Sequence, residues 1–255
     1  MLRDKKLIKT RNLTSLALVD FRMTLIVILV FLMLITLFAV SALHRIQQRQ
    51  RQRRLEQRRL RIQVEELTEI VSCLEQTLPN RAITKHINDM IIAIQHQMLA
   101  LEDKNREHIE AAILKSELYS EELLNPKNRH NISYQRESDA QIAKTQLYLN
   151  ETMHLVMQLA ARGTINDIEL DAYLVELRWA YLMVSVMSYI GQGDKSMSIG
   201  DRFSGLAFYR KAQQLLIESM HQDPRRLQMI KELSEMVDGD RVGLSRNLRE
   251  PASAA

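Results

Sequence analysis

The sequence predicts an all-α protein: a single transmembrane helix, a basic coiled-coil-like stalk and a C-terminal helical bundle. Glycine (7) and proline (4) are scarce among the 255 residues, which suits long helices better than turn-rich β folds. One uninterrupted apolar run, and several stretches with apolar residues every three or four positions, indicate the same class. The expected parts are a basic tail (1–22), the transmembrane helix (23–43), the stalk (44–78), a long helix (80–124), a C-terminal helical domain (132–239) and a disordered tail (240–255).

The membrane segment is Met23–Leu43, 21 residues without a charged side chain. As a helix it would be about 31 Å long, close to the hydrocarbon thickness of a bilayer. A buried core helix and a cleaved signal peptide are the alternatives. The run is long for the apolar region of a signal peptide, and arginines follow it at once, so we expect a retained anchor. Since no second run of this length occurs, the chain should cross the membrane once.

Basic residues flank this segment on both sides. Residues 1–61 hold 14 Lys and Arg against 3 Asp and Glu, whereas the remainder holds 21 against 28. The N-terminal flank carries six basic residues, and the C-terminal flank carries eight: Arg45, Arg49, Arg51, Arg53, Arg54, Arg58, Arg59 and Arg61. The richer flank is favoured as cytoplasmic. We therefore expect a single-pass membrane protein with a cytoplasmic C-terminal domain, which would lie in the inner or plasma membrane if the source is a bacterium; the reverse orientation is the alternative.

The arginine flank has two interpretations beyond orientation. It is a stop-transfer signal on a solvated stalk, or a collar that recognises lipid headgroups. Nucleic acid is not expected as a partner, because no aromatic residue lies between Phe38 and Tyr119 to stack on bases. The mildly acidic remainder of the chain argues the same way.

An apolar repeat follows the arginines, spaced alternately by four and three residues. With β-branched residues at a and leucine at d, it is typical of a parallel two-stranded coiled coil, and so of a homodimer. An intramolecular helical bundle fits the same pattern equally well. The seam consists of Leu60, Val64, Leu67, Val71, Leu74 and Leu78.

Breaker residues divide the rest of the chain. Pro79-Asn80 ends the stalk, a long helical pattern continues to about Leu124, and Asn125–Asn131 is the predicted loop and domain boundary. The helices expected beyond it are about Ser133–Arg162, Asp167–Ile190, Asp201–His221 and a last one that begins at Asp223-Pro224 and ends at Gly239.

The segment Asp167–Ile190 is the most apolar stretch outside the membrane run and should be the central helix. Asn166 and Glu169 resemble a capping box at its start. Gly191 is predicted to end it and to open a flexible connection that reaches Gly200. Its core stripe should be Tyr173, Leu177, Ala180, Val184 and Met187, with Trp179 beside it.

No pattern of catalytic or metal-ligating residues occurs. The seven histidines are scattered, and the single cysteine, Cys73, excludes an internal disulfide. Neither a phosphate-binding loop nor a nucleophile motif is present. We expect no enzyme activity, no cofactor and no metal.

Two functions therefore remain. The first is a single-pass, membrane-anchored helical scaffold or adaptor that holds a protein-binding domain at the membrane surface. The second is a membrane-anchored signalling or regulatory component that acts through a partner. Gly200, Gly205, Tyr209 and Ala212 resemble part of the second half of a tetratricopeptide repeat, but nothing recurs at a 34-residue period. A generic helical hairpin is therefore the favoured interpretation, and a degenerate repeat-like module is the alternative. In both cases the expected partners are the lipid bilayer and a protein.

Overall fold

The computed structural model describes residues 3–102, 106–125 and 132–249, although before Gln50 it describes only some of the side chains. These residues form helices and connecting segments without a strand, which confirms the all-α class. The helices are α1 (Arg3–Thr77), α2 (Arg81–Leu101), α3 (Arg106–Leu123), α4 (Asp139–Ala161), α5 (Asp167–Ser198), α6 (Arg202–Glu218), α7 (Arg225–Asp238) and α8 (Arg246–Arg249).

The chain divides into two compact units, Met1–Arg58 and Arg59–Ala255. In the first unit the backbone is helical from Arg3 onward, as part of α1. The predicted tail 1–22 and the segment Met23–Leu43 belong to this unit. A helix both long and apolar enough to cross a membrane is not found among the residues that the structure describes. Most side chains of Met23–Leu43 lie outside those residues.

The second unit has one hydrophobic core, to which the end of α1 contributes together with α2, α4, α5, α6 and α7. Most of the predicted coiled-coil seam lies in this core: Leu67, Val71, Leu74 and Leu78 belong to it, and Val64 packs against it half-buried. Leu60 is also buried, but it lies outside this cluster. The repeat is thus used within the chain, as the bundle alternative predicts. The compact unit correspondingly begins at Arg59, whereas the sequence placed a domain boundary before residue 132.

The single long helix expected over 80–124 is two helices. α2 ends at Leu101, where Glu102 takes an extended conformation, and α3 begins at Arg106. The two pack together through a polar contact, because the buried Asn88 donates to the Ser116 carbonyl (2.8 Å) and the Ser120 hydroxyl (2.7 Å). These bonds hold α2 and α3 side by side.

α4 begins six residues later than the pattern suggested, at Asp139. The Ser138 side chain caps it by accepting the N–H of Gln141. The preceding residues 132–138 are not helical but extend along the bundle. At the other end Gly163 adopts φ +76, which confirms its predicted role after the last helical turn.

α5 has the predicted capping box: Asn166 accepts the N–H of Glu169, and Glu169 accepts that of Asn166. The predicted core stripe Tyr173, Leu177, Ala180, Val184 and Met187 is buried throughout. Trp179 is also buried, and its indole N–H has no hydrogen-bond partner among the described residues. The ring instead packs between the His221 imidazole (5.0 Å) and the Arg225 guanidinium (4.9 Å).

The structure corrects the predicted end of α5, which continues through Gly191 to Ser198. Glycine is needed inside this helix because α6 crosses it closely. A Cβ atom on Gly193 would lie 2.5 Å from the Tyr209 ring and 3.3 Å from the Gly205 carbonyl. The turn falls instead at Gly200, where φ is +85. These two helices form a tightly packed hairpin rather than flanking a flexible connection.

The last predicted helices agree closely with α6 and α7. Asp201 caps α6 by accepting the N–H of Ser204, and Asp223 accepts the N–H of Arg225 in the first turn of α7 (2.9 Å). α7 ends before Gly239, which has φ +91, as predicted.

The tail expected to be disordered from Asp240 is ordered as far as Arg249. Leu244 and Leu248 are buried in the core, and the buried Glu232 carboxylate accepts both the N–H (2.8 Å) and the hydroxyl (2.7 Å) of Ser245. Arg241 lies 3.5 Å from the same carboxylate. Two apolar side chains and a buried carboxylate therefore order a segment whose composition predicted disorder. Residues 250–255 lie outside the described residues.

We expect this tail to detach in acid. Burial alone would raise the pKa of Glu232, but the bonds from Ser245 and Gln228 and the charge of Arg241 together hold it below its ordinary value. A depressed carboxyl pKa gives stabilisation that is present above the unfolded pKa and is lost as the pH falls through the folded pKa. The methyl resonances of Leu248 should then move toward random-coil positions below about pH 4.

Glu232→Gln should show those shifted resonances at neutral pH as well, without the acid transition. Glu218→Gln, which removes an exposed carboxylate on α6, is the control and should behave as wild type. A transition that persists unchanged in Glu232→Gln would show that another group controls the tail.

Candidate functional site

Two grooves on the second unit flank α4. The first, the polar groove, has a volume of about 660 Å³ and lies between α1, residues 133–137 and α4. Its lining is almost entirely polar: Glu69, Ser72, Cys73, Gln76, Ser133, Gln135, Arg136, Glu137, Gln141, Lys144, Thr145 and Tyr148. Its size suits a small ligand, so the availability of its charged groups decides whether it is a binding site.

Arg136 is the central cation of the polar groove, and four of its five N–H groups are occupied. Nε donates to Thr145 (3.0 Å), Nη2 to Thr77 (2.9 Å), and Nη1 to the carbonyls of Ser133 (2.8 Å) and Gln135 (2.9 Å). The side chain thus ties α1, the extended segment and α4 together. Arg136 thus acts as a structural bracket and leaves a single N–H group, on Nη2, for any ligand.

Two other charged residues of the polar groove, Glu69 and Lys144, are paired with each other. The Glu69 carboxylate accepts bonds from the Tyr148 hydroxyl and, at 3.1 Å, from Lys144; these bonds lower the pKa of Glu69. Burial raises the pKa of the nearby Cys73 thiol, although Thr77 and Arg136 oppose the shift. A thiol held protonated is a weak nucleophile. The polar groove therefore holds the bundle together rather than offering reactive groups.

The second groove, the α4–α5 groove, has a different character. A short connection, residues 162–166, turns the chain back so that α4 and α5 pack side by side. The groove between them has a volume of about 470 Å³ and is lined by Ala143, Gln146, Leu147, Asn150, Met153, Arg178 and Tyr181. Its floor is held in register by Gln146, which donates to the Ser185 hydroxyl (2.8 Å) and the Tyr181 carbonyl (3.3 Å).

Apolar side chains stand exposed in and beside this groove. Leu147 is 62% exposed and Tyr181 is 40% exposed, and Met157 lies further along the same face of α4 at 40%. Arg178 is exposed beside them and makes no ion pair or hydrogen bond with any described residue. Tyrosine, methionine and arginine are the residues enriched at protein interfaces. These exposed side chains on α4 and α5 therefore form a surface that another protein can contact.

The residues singled out from the sequence occupy other places. Arg45, Arg51, Arg53, Arg54, Arg58, Arg59 and Arg61 are all exposed along α1, while the Arg49 side chain lies outside the description. The seam residues from Val64 to Leu78 are brought together in the core, whereas Leu60 is buried outside it. In the described part of the chain, no group of three or more His, Cys, Asp or Glu side chains could hold a metal ion.

Sequence reasoning missed both grooves, for different reasons. The polar groove joins residues as far apart as Glu69 and Tyr148, 79 positions along the chain, and no local signal links them. The α4–α5 groove had a visible signal: Ala143, Leu147, Asn150, His154 and Met157 repeat at helical spacing beside the buried stripe of α4. A second stripe of this kind indicates a face that is not used by the core.

No protein-family model, curated protein or solved structure matches this chain. Function must therefore be inferred from the chain's own residues.

Proposed function

We propose that this protein is a single-pass, membrane-anchored helical adaptor whose α4–α5 groove binds a helical segment of a partner protein. The observation that carries the proposal is the set of exposed apolar side chains, Leu147 and Tyr181, beside the unpaired Arg178. The proposed role is binding rather than catalysis. Its two parts, the anchor and the groove, are supported by different observations.

The anchor is supported by the length and composition of Met23–Leu43 and by its few described side chains. Leu32, Met33, Leu37 and Phe38 are all strongly exposed, Phe38 by 79%. Four large apolar residues presented together on a helix need an apolar environment, and a bilayer supplies it. The arginines that follow support a C-terminal part that faces the cytoplasm.

The groove has the chemistry of a helix-binding site. A partner helix that places apolar residues every three or four positions can lie on Leu147 and Tyr181. Arg178 then favours a partner that carries an acidic residue at the edge of its apolar face, because an exposed arginine forms a two-pronged pair with a carboxylate. The proposed partner segment is thus an amphipathic helix with an acidic side chain.

Crosslinking tests the groove directly. A photo-crosslinking amino acid at Leu147 should capture one discrete partner in intact membranes, whereas the same group at Gln214, exposed on α6, should not. Arg178→Glu should weaken the Leu147 adduct by about tenfold or more, as expected for an interface arginine.

Arg210→Glu reverses an exposed arginine on α6 and should leave that adduct unchanged. Equal adducts at Leu147 and Gln214, or an adduct that is indifferent to Arg178→Glu, would reject the groove as the binding site.

A reporter fused after Ala255 tests the orientation and should be active only in the cytoplasm, because the arginine flank outweighs the N-terminal one. Replacing Arg49, Arg51, Arg53 and Arg54 with glutamine should produce a mixture of orientations. A reporter active only on the outer side would reverse the proposed topology, and a chain released by alkaline carbonate would refute the anchor.

A further inference from the structure

The arginines at the start of the C-terminal flank have a pattern that orientation alone does not require. Between His44 and Ile62 the chain has eight arginines and no lysine, whereas the N-terminal flank carries three of each. Either residue satisfies the positive-inside rule. Arginine differs in its planar fork of donors, which binds a phosphate through two parallel hydrogen bonds. The exclusive use of arginine indicates a phosphate ligand.

The exposed arginines of the first unit form what we term the arginine collar: Arg45, Arg51, Arg53, Arg54 and Arg58. Arg45, Arg51, Arg54 and Arg58 form no ion pair with any described residue. The only acidic residue in this stretch is Glu56, also exposed. The charges of these four arginines are therefore available to an external anion.

The collar surrounds its helix rather than lining one side. Successive helical residues turn by about 100°, so Arg45, Arg53 and Arg54 fall on different sides of α1. The stretch also has no continuous apolar face: its large apolar residues are only Ile46 and Leu55. A helix that lies flat on a membrane needs such a face. A ring of cations instead suits a helix that rises through a layer of headgroups.

The position of each arginine along the helix decides whether it can reach the lipid phosphates. Arg45 lies about 3 Å beyond Leu43 along the helix axis, and Arg51 about 12 Å beyond it. The headgroup layer is roughly 5–8 Å deep on each side of the bilayer, and arginine side chains extend several ångströms to reach it. Arg58, about 22 Å beyond Leu43, lies past both the layer and one Debye length.

We infer that the arginine collar binds the phosphate groups of anionic glycerophospholipids, with Arg45 and Arg51 making the main contribution and Arg54 and Arg58 a smaller one. This inference rests on the proposed anchor, since Met23–Leu43 places the collar at the headgroups. It adds a lipid preference that a stop-transfer signal does not need. Nucleic acid, the other polyphosphate, has no aromatic residue to stack on in this stretch.

The test uses the full chain, purified in a neutral detergent and mixed with equal amounts of phosphatidylglycerol and phosphatidylcholine of matched acyl chains. Native mass spectrometry should show several-fold more bound phosphatidylglycerol. Losing a basic residue near the surface should cost about fivefold in this preference. The pair Arg45→Gln with Arg51→Gln should therefore abolish most of it, while Arg54→Gln with Arg58→Gln should reduce it much less.

Arg162→Gln with Arg210→Gln removes two exposed charges from the second unit and serves as the control, expected to bind as wild type. Arg45→Lys with Arg51→Lys keeps the charge and should lose part of the preference. The inference is overturned if wild type shows no preference, if the control or the distal pair loses as much as the proximal pair, if the lysine pair loses nothing, or if added transfer RNA displaces the lipid.

Alkaline carbonate extraction separates this result from the proposed anchor. If the chain remains in the membrane but shows no lipid preference, only the collar inference fails. If carbonate releases the chain, the anchor fails and the collar inference fails with it.

Discussion

A fragment of residues 59–255 is expected to fold cooperatively, whereas residues 132–255 alone are expected to remain largely unfolded. The longer fragment keeps the end of α1 and α2, whose Leu74, Ile83 and Ile87 are fully buried in the common core. Removing these side chains exposes the apolar surface that they cover, and each large buried residue contributes about 1.5–3 kcal/mol. Circular dichroism should show a sharp thermal transition only for the longer fragment.

Polar contacts strengthen this expectation. The half-buried Glu176 on α5 accepts the N–H of Asn80 (3.1 Å), and the Arg136 bracket holds Thr77. The shorter fragment loses the partners of both side chains as well as the apolar contacts. A cooperative transition in residues 132–255, at a temperature near that of the longer fragment, would restore the boundary predicted at Asn125–Asn131.

Leu177→Ala should lower the free energy of unfolding by about 2–5 kcal/mol, the range for fully buried leucines. Leu177 is fully buried on α5. It belongs to the core that the end of α1 forms together with α2, α4, α5, α6 and α7. Unfolding of the full chain in detergent can be followed by the fluorescence of Trp179, the only tryptophan, which is buried on the same helix.

Val175→Ala is the matched control, because it shortens an apolar side chain on the same helix that is 53% exposed. Its effect should stay within about 0.5 kcal/mol, as is usual for surface positions. Equal destabilisation by both substitutions would show that α5 is sensitive throughout its length, and no effect of Leu177→Ala would remove it from the core.

The sequence predicted correctly those features that depend on neighbouring residues. The capping box of Asn166 and Glu169, the turn at Gly163 and the stripe from Tyr173 to Met187 follow from spacing along one helix. Each is decided within a few turns, so the local pattern contains the information.

Features that depend on distant residues were missed. Gly191 resembled a helix end, yet it lies within α5, where the Gln135 side chain occupies the space that a Cβ atom would need. The heptad pattern of the stalk is the same whether it packs against a second chain or against the other helices of its own core. The docking of Leu248 had no signal either, since a four-residue helix shows no periodicity. In each case the structure depends on a contact between residues far apart in the sequence, and the local pattern of residues contains no information about such a contact.

The shared core also has a consequence for synthesis. The seam residues Leu67 and Leu74 leave the ribosome about a hundred residues ahead of Leu177, with which they share the core. At 5–20 residues per second, translation therefore leaves this apolar stripe uncovered for roughly 5–20 s. During that interval the stripe can be bound by chaperones, or it can associate with the same stripe on a neighbouring nascent chain. Slow codons between α2 and α5 would lengthen the exposure, so the yield of folded protein should depend on translation speed in this region.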